Sequence, residues 1–325
     1  MPLINYRDAM TKALREALIE DENMFIMGED VGAYGGAYAV TKGMLEEFGP
    51  RRIIDSPLSE SAIAGACTGA AMAGLHPVAE IMTINFTLLA LDQIVNHAAK
   101  IRYMSGGQYH APVIIRTVTG GGAQLGATHS QSFDPWFASV PGLKVVVPAT
   151  PFDALGLFRS VREEEDPVIF IEHIRLYSSR GEVPEELYVI PIGKADIKHK
   201  GDDITIVSYS RGVHLALEAA HVLERQGIGA EVIDLRSLRP WDKEMVLDSV
   251  RKTGHALVVE EAWRTGGFGA EVASVIQEEA FDDLDGPVRR IGGLEVPMPY
   301  NRELEQASIP SSEQVVQAAE SALNR

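Results

Sequence analysis

Hydrophobic positions recur in two rhythms along this chain. Short apolar runs at Met24–Gly28, Ile53–Ile54, Val78–Met82, Val113–Val118, Lys144–Pro148 and Val168–Glu172 read as buried strands. Between them lie stretches with helical spacing. Tyr6–Glu20 carries Ala9, Met10, Ala13, Leu14, Ala17 and Leu18 on one face. Val40–Phe48, Leu88–Met104 and Phe152–Glu165 also read as helices, the second packed on several sides. This regular exchange of β and α predicts an α/β fold, a mostly parallel sheet with helices on both faces. From Arg175 to Gly201 the rhythm fails, with prolines and charge runs that suggest a connection between domains. It resumes with strands at Ile204–Tyr209, Ala230–Asp234, His255–Glu260 and Val288–Ile291. Helices are expected at Val213–Gln226, Lys243–Lys252, Ala270–Ala280 and from about Ser311 to Leu323. Two domains follow, 1–185 and 186–325.

The stretch Ile53–Glu80, IIDSPLSESAIAGACTGAAMAGLHPVAE, organises the first domain. Its helix is so rich in Ala and Gly that another backbone or a ligand can come close. Ser59 or Ser56 is placed to cap it, and Glu60 falls in its first turn, where free N–H groups and the helix dipole favour a carboxylate. Taken alone, Glu60 reads as an ordinary acid at a helix start. Glu29 follows a strand at its carboxyl end, where open α/β sheets hold their ligands. Asp30 beside it reads as a solvated turn. Tyr34 lies in the glycine loop Gly32–Gly36, Asn85–Phe86 follow the Val78–Met82 strand, and His129 stands in a loop that begins with Gly120–Gly122.

Composition narrows the chemistry. A formal net charge of −17 over 325 residues argues against nucleic acid or an anionic membrane as partner. Cys67 is the only cysteine, which fits a reducing compartment, and the N-terminus lacks the apolar core of a signal peptide; a cytoplasmic protein is expected. Neither Gly65/Gly69/Gly74 nor Gly120–Gly122 has the order of a dinucleotide fingerprint, and no phosphate-loop lysine follows either. His97, His110, His129 and His173 lack zinc-site spacing.

The segments MGEDVGAYGG, DSPLSESAIAGACTGAAMAGLHPVAEIMTINFTLLALDQIVNHAAKIRYMSGG, GATHSQSF, PGLKVVVPATPFDALGL, DPVIFIEH and DLRSLRPWD resemble, in order and over essentially the whole chain, the β subunits of the heterotetrameric 2-oxo acid dehydrogenases. The pyruvate dehydrogenase type fits best. The resemblance implies a transketolase-like pyrimidine-binding domain over 1–185 and a transketolase C-terminal-like α/β domain over 186–325. It implies half of a thiamine diphosphate site, shared with an α subunit that holds the diphosphate and magnesium in an α2β2 assembly. Glu60 would hydrogen-bond the aminopyrimidine ring nitrogen, a role that a raised pKa would suit; Phe86 would stack on that ring. Glu29 would belong to a proton path between paired sites, Tyr34 would line the cavity, and His129 would meet the substrate or the acyl group leaving for lipoyl.

The family also often carries potassium on backbone carbonyls, which here would be those of Val113, Val161, Glu164 and Asp166. The Gly-Asp-Gly segment of thiamine enzymes that hold the whole cofactor is missing, Gly201–Asp202–Asp203 being the nearest string. That absence favours the split site, and it makes the small-residue helix Ala62–Gly74 a candidate subunit contact. The C-terminal domain would receive the lipoylated acyltransferase core. The activity implied is oxidative decarboxylation of pyruvate with reductive acylation of lipoyl. Acetoin dehydrogenase and branched-chain 2-oxo acid dehydrogenase β subunits are the rivals within the family. A non-catalytic α/β scaffold subunit is the rival outside it.

Overall fold

The computed structural model describes residues 1–323. The chain begins with β1 (Leu3–Asn5), α1 (Tyr6–Glu20), β2 (Met24–Gly28), α2 (Met44–Phe48), β3 (Ile53–Asp55), α3 (Glu60–Met72) and β4 (His76–Ile81). It continues through α4 (Ile101–Met104), β5 (Ile114–Thr119), α5 (Asp134–Ala138), β6 (Lys144–Val146), α6 (Pro151–Val161), β7 (Val168–His173) and β8 (Arg180–Glu182). Then come β9 (Asp196–His199), β10 (Ile204–Ser208), α7 (Arg211–Arg225), β11 (Ala230–Asp234), β12 (Ser237–Arg239), α8 (Lys243–Thr253) and β13 (Ala256–Trp263). The last elements are α9 (Phe268–Glu279), β14 (Arg289–Gly293), α10 (Arg302–Ser308) and α11 (Ser312–Ala322).

Two compact units result, Met1–Thr119 with Trp136–Ile192, and Gly120–Pro135 with the chain from Gly193 onward. In the first, strands run in the order β6-β7-β5-β4-β2-β3, every neighbouring pair parallel. Their residues are almost continuously buried, as a sheet covered on both faces requires. Helix α1 starts at Asn5, whose side chain accepts the Asp8 N–H at 2.8 Å, and buries Ala9, Met10, Ala13, Leu14, Ala17 and Leu18 as its spacing predicts. It packs on α6, which Thr150 caps and Pro151 opens.

The second unit has the order β14-β13-β10-β11-β9, with only the edge strand β9 antiparallel. Its core gathers Ile204, Ile206, Ala216, Ala219, Leu223, Val232, Leu257 and Val315. Asp242 caps α8, Gly254 ends it in the left-handed region (φ 67°), and a reciprocal Ser311–Gln314 capping box opens α11.

Several expectations need correction. Leu88–Met104 is no regular helix: it runs as a 3₁₀ segment (Ile84–Ala90), a π segment (Asp92–Ala98) and short α4. Apolar residues around its whole circumference carry no information about which winding packs them best. Val40–Phe48 is helical only from Met44, because Gly43 at φ 83° is its N-cap. Residues 175–201 contain β8, which pairs antiparallel with β1, and β9; α10 was not foreseen. Residues 120–135 fold with the second unit, where acids receive their N–H groups: Glu261 from Gly121 at 2.7 Å, and Glu305 from Gly122 and Gln124, both at 2.9 Å.

Gly142 is a position where only glycine serves. It has φ 97°, and a Cβ there would stand 1.9 Å from the Ala99 carbonyl oxygen, a backbone atom with little freedom to move. Gly142→Ala is expected to cost about 2–4 kcal/mol from strain and overpacking together, read as a lower Tm of the purified chain. An unchanged melting curve would show that the loop relaxes at no cost.

Candidate active site

The carboxyl ends of β2, β3 and β4 converge on one rim of the first sheet, and the site is built there. Gly28, the last residue of β2, pairs with Asp55 on β3 and with Glu80 on β4. Asp55 accepts the N–H groups of Gly32 (2.6 Å) and Ala33 (3.1 Å), and the Thr41 hydroxyl donates to the Val31 carbonyl at 2.7 Å. These bonds pin the loop that starts at Glu29.

Glu60 is the first residue of α3 and is only 8% exposed. Among the described residues its carboxylate makes no hydrogen bond or ion pair. Neither expected serine caps the helix: Ser59 occupies the N-cap position without a side-chain bond, and the Ser56 hydroxyl donates to the Pro57 carbonyl at 2.9 Å. Ser59 has φ −165° and ψ 69°, and the Ile63 N–H reaches its backbone carbonyl instead, at 2.9 Å. The first turn of α3 is therefore left without a side-chain cap.

Glu29 is half-buried on the same rim. Burial holds its pKa above the ordinary carboxylate range, and the like charges of Asp30 and Glu60 push it the same way. Glu29 and Glu60 thus feel each other, and Glu29 keeps a proton to higher pH than a free carboxyl. Asp30, at φ 56°, is exposed, as a turn residue should be. Phe86 is half-buried in the 3₁₀ segment that packs against α3, just after Thr83, whose buried hydroxyl has no hydrogen-bond partner among the described residues. Tyr34, in the pinned loop, is 71% exposed.

His129 belongs to the other unit; it is exposed, and its Nδ1 lies 2.9 Å from the Thr128 hydroxyl. The residues proposed for potassium lie around the segment between α6 and β7. The Val168 N–H reaches the Val113 carbonyl at 3.0 Å and the Glu164 N–H the Val161 carbonyl at 3.1 Å, while the Asp166 carboxylate pairs with Arg102 at 2.9 Å. Cys67 is buried inside α3 and its thiol is pushed up to about 12 by burial, so it is a structural residue.

A charged cluster beneath the rim escaped the sequence reading. Arg116 on β5 is buried, ion-paired through Nη1 to Glu80 on β4 and through Nε to Glu172 on β7, while Nη2 donates to the Tyr177 hydroxyl at 3.2 Å. Strand register explains the meeting: Glu80 and Arg116 are direct partners, and Glu172 stands opposite Val118, two residues further along β5. Burial raises the pKa of Glu172 and of the Tyr177 hydroxyl. Tyr38 stacks on Tyr177 at 4.9 Å and is itself pushed up to about 12. The signal in the sequence was a lone charge inside each of three buried apolar strands, VAEI, IIRT and IFIE.

Comparisons with known proteins place both parts of the chain in families. Residues 3–179 match the transketolase pyrimidine binding domain and 193–315 the transketolase C-terminal domain. The β subunit of the mitochondrial pyruvate dehydrogenase E1 component of Caenorhabditis elegans is 46% identical over 98% of this chain and 92% of that protein. The chain belongs to the β-subunit family of the 2-oxo acid dehydrogenases. Another member, the β subunit of 2-oxoisovalerate dehydrogenase of Bacillus subtilis, is also 46% identical, over 94% of both chains. Among solved structures, a split-gene transketolase described as an inactive β4 tetramer superposes with a TM-score of 0.82 at 27% identity, over 99% of this chain and 98% of that one. The family is one of oxidoreductase components dependent on thiamine diphosphate. No helix among the described residues is long and apolar enough to cross a membrane.

Proposed function

We propose that the chain is the β subunit of a thiamine-diphosphate-dependent pyruvate dehydrogenase, which decarboxylates pyruvate oxidatively and acylates lipoyl on an acyltransferase core. The observation that carries this reading is Glu60, a buried carboxylate at a helix N-terminus with no partner among the described residues. Such a group is an acceptor waiting for a donor, and a protonated ring nitrogen fits it. When bound, thiamine diphosphate would supply a nucleophilic carbon and a sink for the electron pair of the bond broken in decarboxylation.

This chain's part is to bind, orient and move protons. Glu60 accepts the hydrogen bond of the aminopyrimidine nitrogen and shares its proton, Phe86 covers the ring face, and Glu29, whose pKa burial raises, relays protons beside Glu60. Tyr34 lines the cavity and His129 meets the substrate or the departing acyl group. The backbone carbonyls of Val113, Val161, Glu164 and Asp166 hold potassium in a segment already tied down by two of those carbonyls.

An α subunit holds magnesium and the diphosphate, in an α2β2 heterotetramer. Exposed Leu58, Leu89, Tyr103 and Met104, with the small residues Ala62, Ala66 and Gly69 on the outer face of α3, support a large partner on the first unit. A lone buried thiol suits the cytoplasm.

Two measurements test the reading. The folded chain alone is expected to bind thiamine diphosphate and magnesium weakly in a calorimetric titration, with tight binding restored by the α subunit; tight binding by this chain alone would end the split-site reading. The reconstituted complex should turn over pyruvate at least about tenfold better than a branched-chain 2-oxo acid, the scale that one or two methylenes set in a fitted pocket. Acetoin or the branched acid turning over faster would move the assignment to that branch of the family. No turnover of any of the three would favour a non-catalytic scaffold.

A further inference from the structure

We propose that His199, His221 and Glu224 form a binding site for a divalent transition-metal ion of the zinc class, clamping edge strand β9 to helix α7 on the second unit. One ligand atom from each of the three side chains lies within 4.8 Å of the other two. The Glu224 carboxylate oxygen stands 3.9 Å from His199 Nε2 and 3.9 Å from His221 Nδ1. His221 and Glu224 are three residues apart on one face of α7, and His199 ends β9, so ligands from two elements converge.

The state of His199 is what separates this cluster from an ordinary surface ion pair. Its Nδ1 lies 2.8 Å from the Ala230 carbonyl oxygen, which can only accept, so Nδ1 is the donor and Nε2 is the ring nitrogen turned toward Glu224, open to a metal ion in the neutral ring. A backbone carbonyl that fixes the tautomer and ring plane of an imidazole is the usual outer support of a metal ligand. The His199 side chain is 18% exposed and packs edge-to-face on His221, with ring centroids 5.5 Å apart. The other two ligands are 62% and 67% exposed and can turn on α7. Tetrahedral ligands at zinc distances stand roughly 3.3 Å apart, so closure asks the two mobile side chains for a contraction of about half an ångström on each Glu224 pair and of at most about 1.5 Å between the imidazoles. Two imidazoles and one carboxylate suit zinc, cobalt, nickel or copper, and not magnesium or calcium, which prefer oxygen.

The consequence is mechanical. Strand β9 lies at the edge of its sheet, and its register with β11 shifts between Val232 and Ile233. An ion shared with α7 would hold that edge in place, and binding only the folded chain, it would stabilise it.

The test uses the full-length chain without a histidine tag, stripped with a chelator. Titration with Co²⁺ followed by visible absorption, and with Zn²⁺ followed by calorimetry, is expected to show one saturable equivalent, with Tm raised by Zn²⁺ and unmoved by Mg²⁺. His221→Ala and Glu224→Gln, at exposed positions that do not endanger folding, should each weaken binding at least about tenfold, since even outer-shell changes cost that much. His97→Ala, which removes an exposed histidine 3.4 Å from Asp92 in the other unit, should leave it unchanged. Binding that survives both cluster variants, or no binding at all, overturns the proposal.

Discussion

Glu60→Gln is expected to lower turnover of the reconstituted enzyme by roughly 10²–10⁴-fold, the range of one general acid–base group, while the chain folds and assembles as before. The expectation rests on two facts about the same side chain. It is nearly buried, and it has no hydrogen-bond or ionic partner among the described residues. A glutamate that served the fold would leave a partner stranded when changed, and thermal stability would fall. Here nothing is stranded, so the unfolding free energy should stay within the ~0.5 kcal/mol typical of neutral substitutions and Tm should hardly move. The amide keeps the shape and one acceptor oxygen but cannot exchange a proton. Turnover measured with pyruvate and an artificial electron acceptor, beside melting curves and cofactor titrations, separates the two cases. Full activity in the variant would remove Glu60 from the proton chemistry; lost activity with a lowered Tm would make it structural.

How much of this was legible before the structure differed from residue to residue. The alternation of apolar runs and helical spacing was enough for the parallel sheets, because burial on both faces forces near-continuous hydrophobicity on strands such as Ile114–Thr119 and Val168–His173. The shared rim of Glu29 and Glu60 was legible too, since topology alone puts residues after parallel strands at the same end of the sheet. The winding between Ile84 and Met104 was not, because an apolar surface on all sides fits 3₁₀, α and π geometry alike. The capping of α3 by serine was a propensity argument, and tertiary geometry at Ser59 overrode it. Residues 120–135 could not be assigned to the second unit from sequence, because the acids that hold them, Glu261 and Glu305, lie more than a hundred residues away. The Arg116 cluster was visible only as anomalies, charges in strands otherwise apolar, and needed strand register to become a network.

That network makes the second large prediction. Arg116→Met is expected to destabilise the chain by about 3–5 kcal/mol, because it leaves Glu80 and Glu172 as buried carboxylates without their counter-charge. Methionine fills much of the space left by the guanidinium, so the loss is electrostatic before it is a cavity. The pH dependence then distinguishes the cause. Burial already raises the pKa of Glu172 above its unfolded value, and Arg116 is what opposes the rise. With Arg116 gone, the folded-state pKa climbs further. A carboxyl whose folded pKa exceeds its unfolded one binds its proton more tightly in the native state, so stability increases as pH falls through the folded pKa and is lost as pH rises through it. The gap between wild type and Arg116→Met should therefore narrow toward acid, down to the unfolded carboxylate range, and be widest at neutral pH. Urea unfolding at a series of pH values reads this directly. A gap that stays constant with pH would mean that the cost comes from packing around Tyr177 and not from the stranded acids. A gap that widens toward acid would mean that Glu80 and Glu172 find other cations when Arg116 is removed.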